Sequence, residues 1–123
     1  MFEAKSKMNK FLCLVLNLYL WFRMKIEEIK LKQIQELCKI NKVKSLFVFG
    51  SVLRSDFNES SDIDLIVDFD EKDPIKYTDL YFNLKDKLET ILTRHVDLLE
   101  ERAIKNKFFR EELDNTKVKI YGY

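Results

Sequence analysis

The chain has two glycines and one proline in 123 residues, where average usage near 7% glycine would supply roughly eight or nine. A collagen-like chain, a repeat array and a low-complexity disordered chain are excluded on that count. Each glycine therefore calls for a reason: Gly50 has one at a strand end, below, and Gly122 is read as a terminal residue only. Cysteine is scarce too. Cys13 and Cys38 form no Cys-x-x-Cys pair and no Cys/His cluster, so neither a disulfide framework nor a zinc site is indicated. Both are expected to be buried thiols in a reducing compartment, which predicts a cytoplasmic protein. Net charge is nearly absent as well: 22 Lys+Arg against 21 Asp+Glu leave +1, too little to hold nucleic acid by bulk electrostatics. No direct nucleic-acid partner is expected.

No apolar run reaches the ~20 residues that a membrane-spanning helix takes. The longest, FLCLVLNLYLWF at 11–22, follows Lys5, Lys7 and Lys10 in the manner of a signal peptide. It ends in Trp21-Phe22-Arg23-Met24 rather than in the small residues of a cleavage site, and no membrane partner is expected. Residues 1–23 are read as an apolar N-terminal extension upstream of a natural start at Met24, and 24–123 as the domain. Were residues 1–23 translated, their apolar surface would need covering by a second subunit, in a homo- or hetero-oligomer.

What is present divides by sign. Residues 1–44 carry ten Lys/Arg against four Asp/Glu, a net of +6, and residues 45–123 carry twelve against seventeen, a net of −5. Any acidic chemistry belongs to the second part. The length allows one compact domain. Ile29, Ile34, Leu37 and Cys38 recur at helical spacing and predict a helix over 26–41. Ser45-Leu-Phe-Val-Phe49 predicts a buried strand that stops at Gly50, and Asp62 to Phe69 a second strand. Asp68, Asp70, Glu71 and Asp73 predict a solvated loop ending at Asp73-Pro74, the start of a helix marked by Leu80, Leu84, Leu88 and Ile91. A third strand is expected over 95–99, a helix over 103–113 and a last strand over 117–121, whose Lys117 and Lys119 suit a sheet edge. The expected fold class is α/β (α+β): one β-sheet with helices packed on it, in a single domain.

The chemistry lies in GSVLRSDFNESSDIDLIVDF, residues 50–69. A strand ends in Gly50-Ser51, ten residues follow, and a second strand opens with Asp62-x-Asp64. Alternate residues on a strand point the same way, so Asp62 and Asp64 present two carboxylates on one face. Like charges that close repel unless a cation sits between them. Oxygen ligands open to water suit Mg²⁺, which binds one or two carboxylates together with substrate phosphates. Gly50 lets the chain approach a phosphate, the Ser51 hydroxyl can hydrogen-bond it, and Arg54 can neutralise a further oxygen. Asp97, alone in an apolar strand, is costly to bury without a partner or metal and is the candidate third carboxylate. With four fixed residues at average usage, the pattern arises by accident on the order of once in several hundred chains of this length. His95 is read as a strand-edge histidine, and Tyr77, Tyr81 and Phe82 as a helix packing face rather than a base-stacking platform.

Gly50-Ser51, the ten-residue gap and Asp62-x-Asp64 resemble the signature of the nucleotidyltransferase superfamily that includes DNA polymerase β and kanamycin nucleotidyltransferase. Leu53-Arg54, Ser61-Asp-Ile-Asp-Leu65 and Val96-Asp97-Leu98 are similar to its minimal members, the MNT antitoxins; Ser55 stands where many relatives have glycine. The resemblance covers about residues 26–122. It implies a mixed-sheet nucleotidyltransferase fold in which Asp62, Asp64 and Asp97 hold two Mg²⁺ ions. Asp97 would take the attacking proton, and Gly50, Ser51 and Arg54 would bind the nucleotide phosphates. It further implies transfer of AMP from ATP to a tyrosine of a HEPN-family RNase toxin presented as a partner protein. The rival readings are a catalytically vestigial antitoxin that neutralises its partner by binding, and transfer to a small molecule such as an aminoglycoside.

Overall fold

Apolar residues at helical spacing build the first element of the computed structural model, which describes residues 28–50 and 61–122. Helix α1 (Glu28–Ile40) buries Leu31, Ile34, Leu37 and Cys38 on one face. It ends where Asn41 turns back, its backbone N–H and its side-chain Nδ2 both donating to the Leu37 carbonyl at 3.0 and 2.9 Å. Lys42 follows in the left-handed region, at φ 56°. The chain then forms β1 (Val43–Phe49), β2 (Ile63–Phe69), α2 (Pro74–Leu92), β3 (Val96–Glu100), a short 3₁₀ turn (Glu101–Ala103), α3 (Lys107–Thr116) and β4 (Val118–Gly122).

Helix α2 starts where Asp73-Pro74 predicts. The Asp73 carboxylate accepts from the N–H groups of Ile75 and Lys76 at 2.9 and 3.3 Å, and Pro74 occupies a first-turn position that needs no N–H. The helix expected over 103–113 is displaced towards the C-terminus. Asn106 caps it by accepting from Phe109 N–H at 3.0 Å. Ahead of the cap, Arg110 pairs with the Glu101 carboxylate and donates to the Glu101 and Ile104 carbonyls at 3.0 and 3.4 Å, which holds 101–104 out of the helix.

The strands form one sheet in the order β3-β2-β1-β4, with β2 and β3 parallel and the other pairs antiparallel. The expected mixed sheet is therefore present, and β4 lies at its edge. Gly122 is more than a terminal residue. It pairs with Ser45 at φ +111°, and a Cβ there would stand 2.4 Å from the Lys44 carbonyl oxygen.

The two faces of the sheet differ. Ile63, Leu65, Val67 and Phe69 of β2 join Leu46, Val48, Val96 and Leu98 in a core closed by α1 and α2 through Ile34, Leu84 and Leu88. The alternate residues of β2, Asp64, Ile66 and Asp68, lie on the second face. Helix α3 covers part of that face: Leu113 is buried, and Phe109 meets Phe49 edge-on at 6.3 Å. Asp68 is thus a strand residue and not part of a solvated loop. It accepts from Arg102 at 3.0 Å, and Arg102 also donates to the Phe69 and Glu71 carbonyls and lies 4.2 Å over the Tyr77 ring. The expected aromatic packing face of α2 holds for Tyr77 and in part for Tyr81, whereas Phe82 is 62% exposed. Among the described residues no helix is long and apolar enough to cross a membrane. Residues 1–23, with Cys13, the apolar run 11–22 and the boundary expected at Met24, lie outside the described residues.

Candidate active site

Three strands meet in one cross-sheet row. Phe49, the last residue of β1, is the register partner of Asp64, and Asp64 is the register partner of Asp97. Register partners share a face, so the Asp64 and Asp97 carboxylates stand side by side on the second face, at the end of the sheet where β2 begins. Asp62, two residues earlier, lies just before β2 begins. The topology sets Asp64 opposite Asp97, while Asp62 lies outside the register pairs, with its carboxylate 3.4 Å from His95. Ser51 and Arg54 lie outside the described residues.

The reason for Asp97 differs from the expected one. It is exposed, between buried Val96 and Leu98, because strand alternation sends the two apolar neighbours into the core and the carboxylate out of it. No burial penalty marks it; its place opposite Asp64 does.

Gly50 closes the row. It takes φ +73°, and a Cβ there would lie 2.5 Å from Asp64 Oδ2 and 3.3 Å from its Cγ. A residue with a side chain would meet both a disfavoured backbone conformation and an occupied space. The closest demand on this glycine comes from the half-buried Asp64 carboxylate, which sits in the room that the missing Cβ leaves.

Asp62 faces the corner that precedes β3. His95 Nδ1 lies 3.4 Å from Asp62 Oδ2, and the His95 carbonyl accepts from Ile63 N–H at 3.1 Å. Next to it, Arg94 Nη1 donates to the Ser61 carbonyl at 2.9 Å. Glu89 of α2 accepts from Val96 N–H at 3.0 Å; that bond, with Lys85 beside it, holds the Glu89 carboxyl below the usual carboxylate range. Sequence alone makes His95 no more than an edge histidine. Its position one residue before an apolar strand is the available signal, but nothing in the sequence pairs it with Asp62. Tyr81 donates to the Leu98 carbonyl at 2.6 Å, and burial, with the charges of Glu100 and Asp97, pushes its phenol up.

The donor set is carboxylate oxygen on an open face. It fits a hard divalent cation that keeps part of its coordination for water and phosphate. Among the described residues no three His, Cys, Asp or Glu side chains already converge as metal ligands. Such carboxylates can neutralise and orient a phosphorylated substrate through a shared cation.

Residues 32–123 match the family described as Polymerase beta, Nucleotidyltransferase. A Methanocaldococcus jannaschii protein named "Putative protein adenylyltransferase MJ1379" is 37% identical over 89 residues, covering 72% of this chain and 88% of that one. Among solved structures, a toxin-antitoxin crystal structure with AMP-PNP is similar at a TM-score of 0.58 and 24% identity, over 76% of this chain and 73% of that one. An MNT antitoxin in complex with the tri-AMPylated Shewanella oneidensis HEPN toxin is similar at a TM-score of 0.55 and 23% identity, over 80% of this chain and 74% of that one. Both solved structures share the fold.

Proposed function

This chain belongs to the polymerase beta nucleotidyltransferase family, and on that footing we propose that it is a Mg²⁺-dependent antitoxin that transfers AMP from ATP to a tyrosine of a partner HEPN RNase toxin. The observation that carries the reading is the Phe49–Asp64–Asp97 row, with Asp62 just ahead of β2. The adenylyltransferase name of the relative and the AMPylated toxin in a structural neighbour support the choice of AMP and of a protein acceptor.

Asp62, Asp64 and Asp97 are the residues that would hold two Mg²⁺ ions, and Gly50, Ser51 and Arg54 those that would bind the nucleotide phosphates. When bound, the metal supplies charge neutralisation at the entering and leaving oxygens of an in-line displacement. Asp97 accepts the proton of the acceptor hydroxyl. The tyrosine oxygen forms its bond to the α-phosphorus as the bond to the β-phosphate oxygen breaks, and pyrophosphate leaves. Asp64, seated against Gly50, keeps its place in the row. On this reading the reaction belongs to the cytoplasm, where ATP is available.

The test is ATP labelled at the α-phosphate, incubated with the co-expressed toxin partner and the parent protein or its Asp62→Ala and Asp64→Ala variants. Label on the partner with the parent and none with the variants is the expected result. An unlabelled partner that the carboxylate variants neutralise as well as the parent does would refute transfer and leave neutralisation by contact.

A further inference from the structure

We propose that Arg94 and His95 are positioning residues that set the orientation of Asp62 for its cation, an inference that rests on the nucleotidyltransferase reading of Asp62. Three ties join the corner before β3 to the segment entering β2. Arg94 Nη1 donates to the Ser61 carbonyl at 2.9 Å, Ile63 N–H donates to the His95 carbonyl at 3.1 Å, and His95 Nδ1 stands 3.4 Å from Asp62 Oδ2. They fall on three successive residues, with Asp62 in the middle.

The corner is itself anchored. Thr93 leaves α2 at φ 52°, in the left-handed region, which turns the chain sharply back to the sheet. Glu89 then accepts from Val96 N–H at 3.0 Å and lies 4.0 Å from His95 Nε2. Glu89 projects from a helix fixed by buried Leu84, Leu88 and Leu92, so the imidazole lies between a fixed carboxylate and Asp62.

Stability does not account for the His95 side chain. The imidazole is 61% exposed and Asp62 54% exposed, and pairs that open to water contribute little; the backbone bond from Ile63 already maintains the register. Orientation does account for it. A carboxylate has two oxygens with several lone pairs, and a contact to one of them fixes the direction in which the other presents itself to a cation.

The experiment measures Mn²⁺ affinity in the presence of a non-hydrolysable ATP analogue, by electron paramagnetic resonance or calorimetry, on the full chain, together with thermal unfolding. His95→Ala is expected to weaken Mn²⁺ binding by about 10-fold, as loss of a partner behind a metal ligand does, with an unchanged unfolding midpoint. His95→Asn, which restores an N–H donor near Asp62, is expected to recover most of that loss, and Arg94→Gln to weaken binding in the same direction. His95→Ala binding as tightly as the parent, or His95→Asn no better than His95→Ala, overturns the proposal. A parent that binds no Mn²⁺ with nucleotide overturns the nucleotidyltransferase reading, and this one with it.

Discussion

Alanine at the two glycines separates the demand of the site from the demand of the fold. At position 50 the added Cβ would stand 2.5 Å from Asp64 Oδ2, and ordinary contact begins at 3.4 Å, so the carboxylate must retreat by about 0.9 Å. The atom in the way is the end of a side chain, which can rotate. A displacement near 1 Å of a group that positions substrate is worth on the order of 10²-fold in rate. The backbone penalty for alanine in the left-handed region is roughly 1–2 kcal/mol, partly offset by about 0.4–1 kcal/mol from a stiffer unfolded chain. Gly50→Ala is thus expected to lose about 100-fold in AMP transfer and only about 1 kcal/mol in stability. At position 122 the nearest atoms are the Lys44 carbonyl oxygen at 2.4 Å and Ser45 Cα at 2.9 Å, backbone that cannot rotate aside. Gly122→Ala is expected to lose about 2 kcal/mol or more as β4 shifts away from β1, with the rate per folded molecule unchanged. Urea unfolding followed by circular dichroism, beside label transfer from ATP, measures both. Gly50→Ala at the parent's rate, or Gly122→Ala with parental stability, would refute the assignment of these glycines.

Three further outcomes are expected. Leu84→Ala removes a side chain wholly buried between α2 and the sheet and should lower stability in urea by about 2–5 kcal/mol. Arg102→Ala leaves Asp68 and two backbone carbonyls without their donor and uncovers the Tyr77 ring; a loss of about 1–3 kcal/mol with no change in Mn²⁺ affinity would separate this end of β2 from the Asp64 end. Burial pushes the Cys38 thiol up to about 12 from its ordinary 9.0. The unfolded chain therefore releases that proton first, so the contribution to stability is complete below pH 9 and falls away as pH rises from 9 to 12. Iodoacetamide at about pH 8, below the ordinary thiol range, should label Cys38 only after denaturation, as read by peptide mapping, and labelling of the native protein would contradict the burial.

Strand and helix identities are legible in the sequence wherever one physical signal dominates. The change from helical to strand periodicity between Cys38 and Phe49, and the Asp73-Pro74 start of α2, can be read because each depends on neighbours in sequence. The helix start at Lys107 has a local signal in its Asn106 cap, but the exclusion of 103–106 also depends on Arg110 reaching back to Glu101 and Ile104. Gly122 and Asp68 mislead for the same reason: their partners, Ser45 and Arg102, lie 77 and 34 positions away in the chain. At the site, Asp62 and Asp64 are legible from their spacing. Asp97 stands out for a burial that it does not have; its place opposite Asp64 comes from the parallel pairing of β2 with β3, which nothing local in the sequence shows.

That division of faces explains how a chain of this size carries an acidic site without weakening its core. Leu65 and Val67 fold the domain while Asp64, between Ile63 and Leu65 on the same strand, points away from them. The carboxylates Asp62 and Asp97 remain exposed, so desolvation contributes little to their energetics. Other acidic residues of 45–123 serve the fold: Asp73 caps α2, Asp68 pairs with Arg102, and Glu89 accepts from Val96 N–H. The groups that neighbour Asp62 without belonging to the row, His95 and Arg94, are the ones placed to direct its charge.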